Sequence, residues 1–219
     1  YMSEVEAASL LQLNKKNYSH PAKNIVLFIM ESVPYDFFDS SNINKVKMPF
    51  LDSLVNKSTF FTNAFSYAYT SNKGITAILS GLPTTTDIPL YHSGFINIDK
   101  TTIGEELAKK NYTSSFFIGD NYDDFGFAKC CNWLGIQQYY CMKDIPGYKQ
   151  IEKHSMGLHD EYVLNFMEQK MENQQQPFFN VMYNISTHYP NDLPAGFKDL
   201  YPSVNRTPPM KSMAYYDQC

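Results

Sequence analysis

Four groups of polar residues stand at the ends of apolar runs, where they could assemble one reaction centre. Glu31 closes the run Asn24-Ile-Val-Leu-Phe-Ile-Met30. Thr70, Ser71 and Lys73 stand directly before Gly74-Ile-Thr-Ala-Ile-Leu-Ser80, which reads as a helix. Gly119-Asp-Asn121 follows Ser114-Ser-Phe-Phe-Ile118, and Ser186-Thr-His188 follows Pro177-Phe-Phe-Asn-Val-Met-Tyr-Asn184. A divalent ion held by Glu31 and other groups could lower the pKa of a coordinated hydroxyl, making Ser71 or Thr70 a nucleophile near neutral pH. The helix N-terminus behind them would stabilise a phosphate or sulfate oxyanion. Lys73 could add positive charge to the transferring group. His188 could hold a non-bridging oxygen or protonate a leaving group. Each residue type alone is ordinary: an acid after a strand serves as a turn residue or cap, a Ser or Thr before a helix as an N-cap, a single His as a structural hydrogen-bonder. The joint pattern is what points to chemistry.

Those groups need a scaffold that brings strand ends together. The runs at 24–30, 114–118 and 177–184 are short, apolar and bounded by polar residues, the signature of strands buried on both faces of a parallel sheet. Met48-Pro-Phe-Leu-Asp-Ser-Leu-Val55 fits a helix with Pro in its first turn. Residues 58–69 read as a strand-like aromatic stretch. The helix after Ser71 is closed by Gly81 and Pro83. Thr101–Lys110 has a threonine cap, acidic first-turn residues and terminal lysines, matching the helix dipole. Further helices are expected near Ala128–Leu134 and, with an amphipathic pattern, at Asp160–Glu172. Five prolines between 190 and 209 predict a long loop. Alternating strands and helices indicate an α/β fold with a mainly parallel sheet flanked by helices. In such sheets ligands sit at the carboxyl ends of the strands.

Composition narrows the partners. The chain has 219 residues, 43% of them hydrophobic and 16% aromatic, enough for one α/β core. The surplus Tyr and Phe either fill core and half-exposed strand positions or line a sugar- or lipid-facing groove. Net charge is −4 and no basic stripe is present, so nucleic acid is not an expected partner. No run reaches the roughly 18 apolar residues of a membrane span, and no signal peptide is visible before Leu10. The four cysteines, Cys130, Cys131, Cys141 and Cys219, lack zinc-site spacing. Cys141 either pairs with Cys130 or Cys131, or all stay reduced.

Several of these segments resemble one family. Asn24-Ile-Val-Leu-Phe-Ile-Met-Glu-Ser32 resembles the first strand and first metal ligand of the lipoteichoic-acid-synthase-like, phosphoglycerol transferase branch of the sulfatase–alkaline phosphatase superfamily. Met48-Pro-Phe-Leu-Asp-Ser-Leu54 resembles its Pro-Phe-Leu-Asp helix, and Thr70-Ser-Asn-Lys-Gly-Ile-Thr-Ala-Ile-Leu-Ser-Gly-Leu-Pro83 its nucleophile segment. Gly157-Leu-His-Asp-Glu-Tyr162, Gln176-Pro-Phe-Phe179 and Ile185-Ser-Thr-His-Tyr-Pro190 follow in the family's order. The resemblance implies an alkaline-phosphatase-like fold, with a lead-in at 1–23 and the N-terminal part of a catalytic domain at 24–219. It implies Glu31 as metal ligand and, counting back from Gly81-Leu-Pro83, Ser71 as nucleophile and ligand, with Thr70 kept as the alternative. His188 would bind the phosphate or its headgroup. Phe125 occupies an aromatic position of the substrate groove in the Gly119–Phe127 segment, with Asn121 near it. His159 would line the groove, and Asp160 begins its helix as a cap.

The resemblance also implies transfer or hydrolysis of a glycerophosphate or phosphoethanolamine headgroup from a phospholipid, with Mn²⁺, Mg²⁺ or Zn²⁺ as cofactor. An anionic glycan is the other substrate class. The catalytic domain would sit on the periplasmic or extracellular side of the inner membrane, tethered by N-terminal helices outside this sequence. The family's later Asp-His ligand pair does not occur after residue 190, so the fold is expected to be incomplete at its C-terminus, the remaining ligands to lie beyond Cys219, and this stretch alone to be inactive. A missing strand would leave an open sheet edge. A true sulfatase is a second enzymatic reading, weakened because Ser71-Asn-Lys-Gly-Ile75 lacks the Cys-x-Pro-x-Arg pattern. A non-catalytic polyanion-binding module is the third.

Overall fold

In the computed structural model, which describes residues 22–84, 87–98, 100–121, 125–202 and 206–219, the expected apolar runs become adjacent strands. The polar lead-in at 1–20 lies outside the described residues. Ile25–Ile29 (β1), Thr113–Ile118 (β2) and Gln138–Tyr140 (β3) precede a two-residue hairpin, Lys153–His154 (β4) with Gly157–Leu158 (β5), and Phe178–Tyr183 (β6) comes last. The main sheet is wholly parallel in the order β1-β6-β2-β3. In this register Ile29 and Ile118 both lie opposite Tyr183. The three strands therefore end level, and the residues that follow them share one edge.

The helices are α1 (Pro49–Lys57), α2 (Ser71–Ser80), α3 (Ile103–Ala108), α4 (Phe127–Trp133), α5 (Asp160–Glu172) and α6 (Pro208–Tyr216). Side chains that alternate along β2 and β6 feed two cores. Phe116, Ile118, Phe179, Val181 and Tyr183 pack with α2 and α4 on one face. Phe117 and Met182 pack with Val163, Phe166 and Met167 of α5 on the other. A third cluster joins Met48 and Leu51 to Met210 and Met213 of α6.

Local signals explain the helix ends. Thr102 and Glu105 form a capping box at α3, with Glu105 N–H donating to Thr102 Oγ1 at 3.2 Å. Gly81 closes α2 in the left-handed region at φ +67°. The N-terminus of α1 is capped from far away: Leu51 N–H donates to Asp217 Oδ1 at 2.7 Å.

Three expectations are corrected. Residues 58–69 form no strand; they run through bends and turns with Phe61, Phe65 and Tyr69 exposed, because an aromatic pattern without a neighbouring ladder has nowhere to place its backbone hydrogen bonds. β1 is buried on one face only: Leu27 packs inward, whereas Val26 and Phe28 are 38% and 47% exposed, since α5 covers β2 and β6 but not this outermost strand. Asp160 begins α5 without capping it; its N-cap position is His159 and the carboxylate turns to the next loop. The cysteine alternatives are also resolved, since all four are free thiols.

Candidate active site

Glu31 sits on the turn after β1, where Ser32 takes the left-handed conformation at φ +52° and the chain reverses. Three side-chain donors hold its carboxylate. Ser32 Oγ donates to Oε1 at 2.9 Å and Ser71 Oγ donates to Oε2 at 2.7 Å. The Tyr183 hydroxyl also donates to Oε2. The main chain of Glu31 is held as firmly: its N–H donates to Asn184 Oδ1 at 2.7 Å, and its carbonyl accepts from Thr187 Oγ1 at 2.6 Å.

Behind this contact lies a buried polar network. Asn184 Nδ2 donates to Thr187 Oγ1 at 2.8 Å and to Asp160 Oδ2 at 3.3 Å. Asp160 also accepts the backbone N–H groups of Ile185 at 3.0 Å and Ser186 at 2.9 Å, while its own N–H donates to Ser186 Oγ. Burial raises the Asp160 carboxyl above the usual range, opposed by those N–H donors. The network thus fixes the loop 184–188, which carries His188, against the turn that carries Glu31.

The two hydroxyl candidates part company here. Ser71 is the first residue of α2, and its oxygen faces Glu31. Thr70 is the N-cap residue, makes no side-chain cap bond, and lines the surrounding space without touching the carboxylate through a hydrogen bond. A cavity of about 150 Å³ opens beside Ser71 between Asn72, Phe125, Met156 and His188. A broader groove of about 890 Å³ runs between β1 and α2, bordered by Glu31, Phe65 and Tyr69. Tyr183 borders both spaces. Burial and the adjacent Glu31 carboxylate push its phenol well above its ordinary pKa, which keeps it a donor.

Other anticipated residues are placed less centrally. Phe125 and His188 line the small cavity with Ser71. Lys73 is half-buried in the first turn of α2, but it borders neither space. Asn121 is exposed and borders neither. His159 is fully buried, with its ring 5.8 Å from Tyr215 and 5.7 Å from His154, so it meets no groove. Burial lowers the pKa of both histidines.

Glu31 and Ser71 offer two hard oxygen donors to one point, which suits part of an oxygen-ligated divalent site. Among the described residues no group of three or more His, Cys, Asp or Glu side chains could hold a metal by itself. Tyr183 and Asn184 escaped the reading of the sequence, and Thr187 entered it only within Ser186-Thr-His188, without a role. Tyr183 and Asn184 close a buried strand with polar atoms, and that position, level with Glu31, was the available signal.

Comparison with known proteins agrees with this fold. A family model described as Sulfatase matches residues 23–219. Lipoteichoic acid synthase 2 of Bacillus subtilis is 25% identical over 206 residues, covering 83% of this chain and 31% of that protein. A structure of an alkaline phosphatase superfamily protein from Vibrio parahaemolyticus superposes with a TM-score of 0.77 at 24% identity, covering 91% of this chain and 49% of that one. The lipoteichoic acid synthase LtaP from Listeria monocytogenes superposes with a TM-score of 0.70 at 19% identity, covering 90% of this chain and 50% of that one. The chain therefore spans half or less of the length of these relatives.

Proposed function

The chain belongs to the sulfatase family, and on that premise we propose that it forms the nucleophile-bearing part of a metal-dependent enzyme transferring a phospho-headgroup, glycerophosphate or phosphoethanolamine, from a phospholipid. The observation that carries this reading is the 2.7 Å contact between Ser71 Oγ and Glu31 Oε2 at the carboxyl edge of the sheet. A divalent cation held by Glu31 and Ser71 would lower the hydroxyl pKa and neutralise phosphate charge. Ser71 Oγ forms the new bond to phosphorus as the ester bond to the lipid alcohol breaks. Ser71 Oγ donates to Glu31 Oε2; as the cation takes the place of that hydrogen bond, the Ser71 proton would pass to solvent through the small cavity beside it, and Glu31 would stay ionised as a ligand. The first turn of α2 presents its positive end to the phosphoryl oxygens. His188, across the small cavity, holds a non-bridging oxygen or supplies a proton to the departing alkoxide. Phe125 walls the headgroup space.

Remaining metal ligands would come from chain or solvent beyond Glu31 and Ser71, and the catalytic domain would work on the outer side of a membrane. The described residues contain no helix long and apolar enough to cross one.

The test is release of headgroup from a fluorescent phosphatidylglycerol analogue by the full-length protein with added Mn²⁺. Release that disappears in Glu31→Ala and Ser71→Ala and persists in Thr70→Ala supports the reading. A folded protein that releases nothing from phospholipids with Mn²⁺, Mg²⁺ or Zn²⁺, yet cleaves an aryl sulfate, is a sulfatase instead.

A further inference from the structure

We propose that Tyr183 is a positioning residue that aims the Glu31 carboxylate at the metal, an inference that rests on the reading of Glu31 as a ligand. Tyr183 is the last residue of β6 and lies directly opposite Ile29 in the parallel register, two residues before Glu31 on the neighbouring strand. It is 4% exposed, and its ring packs 5.5 Å from that of Phe127 within the core beneath α2 and α4. A ring anchored in this way can hold its hydroxyl at a fixed point. That point is Glu31 Oε2, the oxygen that also receives Ser71.

The arrangement distributes three donors over one carboxylate. Ser32 holds Oε1 from the solvent side, while Ser71 and Tyr183 share Oε2. Ser71 must leave this contact when its oxygen turns toward phosphorus. Tyr183 does not react and has no reason to leave. It therefore preserves the carboxylate's direction while the nucleophile moves, and it spreads part of the negative charge into a buried donor. Outer partners of metal ligands have this effect elsewhere: removing one weakens metal affinity or activity by about 10–100-fold. A glutamate has three rotatable side-chain bonds, so the entropy of fixing it is lost in advance by the fold rather than at each metal-binding event.

Tyr183→Phe keeps the ring and deletes only the hydroxyl. Mn²⁺ binding to the full-length protein is read from the electron paramagnetic resonance signal of the free ion, for wild type, Tyr183→Phe and Glu31→Gln, with thermal unfolding recorded without metal. The expected result is an Mn²⁺ Kd raised about tenfold or more in Tyr183→Phe and raised further in Glu31→Gln. Wild-type affinity in Tyr183→Phe with loss in Glu31→Gln overturns the inference and leaves the ligand reading standing. The inference fails in the same way if Tyr183→Phe only lowers the unfolding temperature while its folded form binds Mn²⁺ normally. Unchanged affinity in Glu31→Gln, or no Mn²⁺ binding by the wild type, overturns both.

Discussion

Asn184 grips Glu31 by the main chain: the Glu31 N–H donates to Asn184 Oδ1 at 2.7 Å across 153 residues of sequence. The same side chain gives its two amide protons to Thr187 and Asp160. One buried amide thus ties together the turn of Glu31, the start of α5 and the loop of His188.

Asn184→Ala should therefore act well beyond its size. It leaves the Glu31 N–H and the Asp160 carboxylate short of partners in a site from which water is excluded. The expected destabilisation is about 2–3 kcal/mol, seen as a fall of about 5–10 °C in the thermal midpoint. Thermal unfolding followed by circular dichroism measures it. A midpoint within a degree of wild type would show that the network carries no stability.

Thr70 and Ser71 should separate in stability as well as in chemistry. Thr70 caps no N–H with its side chain, so Thr70→Ala should leave the unfolding free energy within about 0.5 kcal/mol of wild type. Ser71→Ala removes a donor to Glu31 and should abolish turnover without unfolding the chain. Urea titration alongside the phospholipid assay reads both.

The buried histidines set an acid limit. Burial lowers the pKa of His154 and His159 below the ordinary 6.5, so the unfolded chain binds protons that the folded chain refuses. Their contribution is fully present above 6.5 and is lost as pH falls through the lowered folded values. Asp160, raised by burial, has the opposite sign and loses stability as pH rises above 3.8. The isolating comparison is wild type against His159→Phe: between pH 7 and pH 5, the wild type should lose more stability. Parallel midpoints over that range would show that His159 does not titrate with unfolding.

Two glycine positions should respond in opposite directions. A Cβ on Gly157 would stand 2.0 Å from the Gly119 carbonyl oxygen, at a φ of +151° that favours glycine. Gly157→Ala should cost about 2–3 kcal/mol or more and push the hairpin off the sheet edge. A Cβ on Gly74, inside α2, meets nothing within 4 Å. Gly74→Ala should stabilise by about 0.5–1 kcal/mol. Denaturant midpoints of the two variants decide both signs.

Periodicity and strand-end logic made much of the scaffold legible. The runs at 24–30, 114–118 and 177–184 needed no partner to be recognised, and the rule that ligands gather at carboxyl ends then located Glu31, Ser71 and His188 together. Counting back from Gly81-Leu-Pro83 favoured Ser71 over Thr70, and the contact with Glu31 favours it again. What sequence concealed were pairings across long separations. The exposed outer face of β1 depends on which helix happens to cover it. β3 is three residues long, too short to show a period. His159 sat in a motif that fits a groove, but the hairpin β4–β5 and Tyr215 enclose it, a fact of tertiary packing alone.

The partners of the N-terminal third have a further consequence, for the order in which the protein can be made. Among the described residues β1 pairs only with β6, the N-terminus of α1 is capped by Asp217, and the cluster around Met48 and Leu51 closes on Met210 and Met213. At ordinary rates of translation the ribosome takes about 8–30 seconds to travel from Glu31 to Asn184. During that interval the apolar strand has emerged and has nothing to pair with. Chains that end before residue 178 should thus leave β1 unpaired and open to protease, and chains that include β6 should protect it.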